Sequence, residues 1–163
     1  MIQLKELGEV IPLIIIAFSA SFILLIESFY RKSENATYVF SIISVIAAIA
    51  ASFFQLSHES LIFNQFLSIS NTAVSFSVIM MTGILITIIA SKSYLEKENI
   101  NFGEYYSLLL FALLGMQIMV AANDILIIFI GLEIMSICFY VLAGFLRKRV
   151  KSNESALKYF LLG

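Results

Sequence analysis

Cysteine, histidine and charge are scarce in this chain of 163 residues, and each scarcity removes a class of function. The single cysteine, Cys138, lies in an apolar run and excludes an internal disulfide or a cysteine-cluster metal site. The single histidine, His58, cannot build a metal site alone. No Gly-rich phosphate loop and no Ser/His/Asp combination falls inside an apolar run. The sequence therefore presents no site for a nucleotide, redox cofactor or metal, and no feature that points to nucleic acid. Charged residues make up only 13% and hydrophobic ones 61%. Soluble domains average about 25% charged and about 45–50% apolar. With a mean hydropathy of +1.00, the chain reads as an all-α integral membrane protein embedded in the lipid bilayer.

Five apolar segments are long enough to cross a membrane: about 10–29, 38–56, 71–90, 105–122 and 124–146, with a sixth helix starting near Glu154. The first follows Lys5, Glu6 and Glu9, a poor start for a signal peptide. It reads as a retained helix with Pro12 in its first turn, where a missing N–H costs least. Glu27, at its far end, is expected to reach the membrane interface or to pair with Arg31. Leu61 to Ser70 is apolar but broken by Asn64 and Gln65, and too short to span. The expectation there is a surface-lying connector. His58, in the polar turn before it, reads as solvated or as a proton-loop residue.

Ser91 to Glu104 is the longest polar segment, and Glu104 suits the positive end of the next helix. Gln117 is the notable polar residue inside the fourth span. The turns after spans one, three and five hold two, two and four Lys or Arg, and those after spans two and four hold none. The positive-inside rule places the basic turns in the cytoplasm and the N-terminus outside.

The stretch from Asn123 to Phe145 holds one carboxylate away from its ends, Glu133. It lies nine residues beyond Asp124, roughly 13–14 Å along a helix, and thus near the bilayer midplane. An ionisable group there costs about 2.5–3.5 kcal/mol on insertion scales, which makes it a functional candidate for ion or proton movement. Ser136 and Tyr140 follow at three and seven residues, on one helical face. This polar stripe is expected to face the bundle or a file of water, and Gly131 to leave room for a neighbouring helix or water. A protonated Glu133 making one interhelical hydrogen bond is the structural alternative. Lys158 is the internal candidate for a cationic partner. Glu154, four residues earlier, makes an ordinary helix pair with Lys158 the competing reading.

The segments EYYSLLLFALLGMQIMVAANDILIIFIGLEIMSICFYVLAGF and NESALKYFLLG carry a family resemblance. They resemble subunit N of the bacterial proton-pumping NADH:quinone oxidoreductase, complex I, homologous to mitochondrial subunit 2. The match from Glu104 to Gly163 is specific in wording and spacing, and the earlier spans agree in length and hydropathy. The resemblance implies a proton-translocating, antiporter-like membrane-arm subunit built from inverted repeats, located in the cell inner membrane. It implies that Glu133, in the GLE motif, is essential, and that Lys158 and Glu154 are family positions. NADH, flavin, iron–sulfur clusters and quinone are implied for partner subunits, with none bound by this chain. The alternatives are a subunit of a cation/proton antiporter or membrane-bound hydrogenase, or a non-pumping scaffold piece.

The sequence departs from the family pattern. The seventh helix with its Lys, the broken helices and the second repeat are missing, and no Asp stands near Ser70. The chain thus reads as a fragment, a split gene product or a truncated remnant. A half-channel with Glu133 alone is not expected to pump by itself.

Overall fold

The computed structural model describes residues 8–29, 34–56, 60–98 and 102–163. Lys5, Glu6, Arg31, Lys32, His58, Asn99 and Asn101 lie outside the described residues, and so do the expectations that rest on them. Among the described residues six named helices and one hairpin build the fold. They are α1 (Ile11–Phe29), α2 (Glu34–Phe53), β1 (Ser60–Ile62), β2 (Leu67–Ile69), α3 (Asn71–Glu98), α4 (Phe102–Ala121), α5 (Ile125–Ala143) and α6 (Val150–Leu162). The first five helices are long and apolar enough to cross a bilayer. The chain is an all-α, multi-pass membrane protein.

The middle of the bundle is α4, which packs on α1, α2, α3 and α5. Its Tyr106, Leu109, Leu110 and Leu113 meet Ile16, Ala20 and Ile23 of α1, Val45 and Ala48 of α2, and Met81, Ile84, Ile88 and Leu95 of α3. Within that core the Ser107 hydroxyl donates to the Ala20 carbonyl at 2.8 Å. Small and hydroxylated residues let membrane helices approach and bond in this way, since lipid supplies no hydrophobic drive between them. Helix α5 lies at the side of the bundle. Only 11% of its apolar window is buried, against 50% for α4.

Two expected connectors are ordered elements. Leu61 to Ser70 is an antiparallel hairpin, with Ser60 opposite Ile69 and Ile62 opposite Leu67. Phe63, Asn64 and Gln65 all take positive φ (52°, 56° and 69°), and these left-handed residues reverse the chain. Ile62 and Ile69 are buried with Val10 and Val74, so the hairpin closes one end of the bundle rather than lying loosely on it. Asn123 ties it down: its N–H donates to the Phe66 carbonyl and its side-chain amide to the Gln65 carbonyl, both at 2.9 Å. Ser60 donates to the Glu9 carboxylate, and the Gln55 side chain to the Glu9 carbonyl.

The second difference is in α3, which continues past Ala90 to Glu98. At 1.5 Å per residue its 28 residues span about 42 Å, more than a hydrocarbon core of ~30 Å. Lys92, Glu96 and Lys97 therefore decorate a helix rather than a loop. The Lys92 ammonium sits 4.7 Å from the Tyr38 ring centre. Helices α2 and α6 also begin earlier than hydropathy suggests, at Glu34 and Val150.

Candidate functional site

The candidate site is built on α5. Asp124 caps that helix: its backbone is extended and its carboxylate accepts the Leu126 N–H at 2.8 Å. This fixes the start of the helix, and the direction of every side chain after it follows from the helical repeat. Gly131 and Cys138 are buried, and Leu142 packs against the main core. Together with Met135 they form the seam that meets α4. A Cβ on Gly131 would lie 2.8 Å from the Gly115 carbonyl oxygen, and one on Gly115 would lie 2.6 Å from that of Gly131. Two glycines thus let the backbones of α4 and α5 touch.

That contact decides where Glu133 points. Two residues beyond Gly131, it is turned roughly 200° about the helix axis. The room at Gly131 is filled by α4, and Glu133 is exposed on the opposite face. Glu133 therefore does not face the described bundle, the first of the two surroundings expected for it. Ser136 and Tyr140 are half-buried on the Glu133 side. The stripe ends against α6, where the Tyr140 ring meets Tyr159 edge-on at 5.0 Å and Phe160 at 5.6 Å.

Lys158 and Glu154 lie on α6 with their charged groups 2.7 Å apart and more than half exposed. The structure therefore shows the ordinary helix pair, and among the described residues no ion pair joins Glu133 to Lys158. Glu104 sits exposed in the first turn of α4, where negative charge complements the helix dipole. Glu27 is buried at 6% exposure near the end of α1, its carboxyl group beside Gly103 where α4 begins. Among the described residues no three of His, Cys, Asp and Glu gather into a metal-sized group.

The sequence reading missed Gly115, whose role shows only once α4 and α5 are set side by side. The available signal was a second glycine on the neighbouring apolar helix.

Residues 122–163 match the family model described as NADH:quinone oxidoreductase/Mrp antiporter, TM. The chain is similar to NADH-quinone oxidoreductase subunit N 2 of Rhizobium meliloti (strain 1021), at 39% identity over 94% of this chain and 32% of that protein. It is 36% identical to subunit N of Trichlorobacter lovleyi over 99% of this chain and 33% of the relative. With subunit N 1 of Chloroherpeton thalassium the identity is 39%, over 99% and 34% respectively. The chain thus spans about a third of the length of the curated relatives it matches. In sequence the chain is similar, over nearly its whole length, to proteins named NADH-quinone oxidoreductase subunit N.

Proposed function

We propose that this chain serves in the membrane arm of an NADH:quinone oxidoreductase, where Glu133 carries protons for translocation coupled to quinone reduction. The observation that supports this most is the likeness to proteins named subunit N over 94–99% of the chain. NADH, flavin, iron–sulfur clusters and quinone belong to partner subunits, and this chain contributes no redox step. Its partners are other membrane-arm subunits in the cell inner membrane.

The position of Glu133 fits that role. A carboxylate at mid-span and exposed on the bundle surface is costly against lipid, so this face is one that another helix must cover. In such an interface a carboxylate takes up a proton when its surroundings are apolar and gives it up when a cation or water reaches it. Ser136 and Tyr140 continue the polar stripe from it toward α6. Glu154 and Lys158 are assigned a supporting role on the adjacent helix.

The orientation proposed is N-terminus outside. Arg149 reaches Glu98 across 2.6 Å, which supports placing the basic ends of α3 and α5 on one side. The hairpin then lies on the other side, outside the cytoplasm.

The test is Glu133→Gln in the native assembly, purified with a tag on this chain and reconstituted in vesicles. Flavin, iron–sulfur absorbance and NADH:quinone activity should accompany the chain, and the variant should lose proton translocation. Undiminished proton pumping in Glu133→Gln would sink the role of Glu133. Cation/proton exchange without NADH oxidation would replace the oxidoreductase with an antiporter, and a hydrophobic assembly without either activity would leave a scaffold.

A further inference from the structure

Gln117 is 1% exposed, four residues before α4 ends, and among the described residues neither its side-chain oxygen nor its nitrogen has a hydrogen-bond partner. A buried amide left in this state is costly, and native proteins satisfy such groups with protein atoms or with ordered water. The amide lines a cavity of about 20 Å³ whose walls come from α1, α3, α4, the end of α2 and the hairpin. That volume exceeds the roughly 10–15 Å³ one water needs. Around it stand Pro12, Ser52, Gln55, Ser77 and Met81.

The polar lining is suited to water. Ser52 spends its hydrogen on the Ala48 carbonyl at 2.9 Å, which leaves its oxygen free to accept. Ser77 brings a second hydroxyl and Gln55 a second amide, so a water there would find the two to four partners that hold buried water in place. Gln55 and Ile69 also line a larger, mostly apolar groove of about 670 Å³ on the hairpin side. The two spaces share those residues as a common wall, with the Gln55 amide tied to the Glu9 carbonyl.

We infer that Gln117 holds a buried water site in the core of the bundle, and that this water exchanges with the outside past Gln55. The site lies between α1 and α4, away from the Glu133 face of α5. It is independent of whether Glu133 carries protons.

Met81 reads the site directly. It is fully buried, and it lines the cavity. Radiolysis of a bound water makes a hydroxyl radical in place, which oxidises a thioether beside it without bulk access. The experiment is a brief X-ray exposure of the native assembly in ¹⁸O-labelled water, followed by mass spectrometry of the Met81 peptide. The expected result is labelled oxidation of Met81 that falls at least several-fold in Gln117→Leu. Gln117→Met serves if the leucine variant does not accumulate, and Gln117→Asn, which keeps an amide, should retain the label. Absence of Met81 oxidation in the wild type, or an equal rate in the apolar variants, would overturn the site.

Discussion

The Gly115 and Gly131 backbones meet face to face across α4 and α5. A methyl group on either would fall within 2.6–2.8 Å of the other's carbonyl oxygen. Alanine is the better helix former by about 1 kcal/mol, so each Gly→Ala change would stabilise an isolated helix. Here the added atom meets backbone, which cannot rotate away. Overpacking of this kind costs about 1–3 kcal/mol. Gly115→Ala and Gly131→Ala should each lower the thermal unfolding temperature of the assembly, and combining them should cost less than the sum, since one displacement relieves both. An unchanged unfolding temperature would show that α4 and α5 are not in contact there.

Gly103 makes a different contact. A Cβ placed on it would lie 2.8 Å from Glu27 Cδ, at the far end of a side chain that can swing. Gly103→Ala should therefore cost less than Gly115→Ala, and should act by displacing the Glu27 carboxyl group. In a Glu27→Ala background the same change should be milder by at least about 0.5 kcal/mol, the usual floor for coupling between touching residues. Simple additivity of the two changes would separate Glu27 from the start of α4.

The Arg149–Glu98 pair joins the segment after α5 to the end of α3 at 2.6 Å. Its arginine is 57% exposed, so water and salt weaken the pair. Arg149→Gln should lower stability by less than about 1 kcal/mol. In about 1 M salt, where the screening length falls to about 3 Å, that difference should vanish. A larger loss that persists in high salt would mean that Arg149 packs or bonds elsewhere.

The spans and their order were legible in the sequence because each depends on a local feature, an apolar run of bilayer length. The direction of Glu133 was not. On a helix apolar all round, periodicity hardly marks which side is buried. The informative residue was Gly131, and its meaning depends on Gly115 in a different helix. Hydropathy reports where lipid ends, so it does not show that a helix of good formers such as Lys and Glu continues through Lys92 to Glu98. The hairpin had no Asn-Gly or Gly-rich turn to announce it. Three consecutive left-handed residues without glycine form it, and only Asn64 hinted at that conformation. Gln117 stood out as polar in the sequence, but its empty surroundings appear only when four helices are assembled around it.

The hold of α6 on the rest of the protein is a last point that experiment can reach. None of its residues is buried. It is attached through the edge-on contacts of Tyr140 with Tyr159 and Phe160, through the Ser152 hydroxyl on the Ala143 carbonyl at 2.7 Å, and through Ala156 packed beside Gly144. Aromatic pairs contribute about 0.5–1.5 kcal/mol each beyond their area, so Tyr140→Ala removes a large share of what docks the helix. Local opening of α6 should then rise at least about fivefold. Trypsin reads this at Lys158, inside α6 and open to cleavage only when the helix unwinds. Cleavage there should be faster in Tyr140→Ala and unchanged in Tyr140→Phe, which keeps both ring contacts. Equal rates for Tyr140→Ala and the wild type would mean that other contacts hold α6. The stripe running from Glu133 would then lose its link to Lys158 and Glu154.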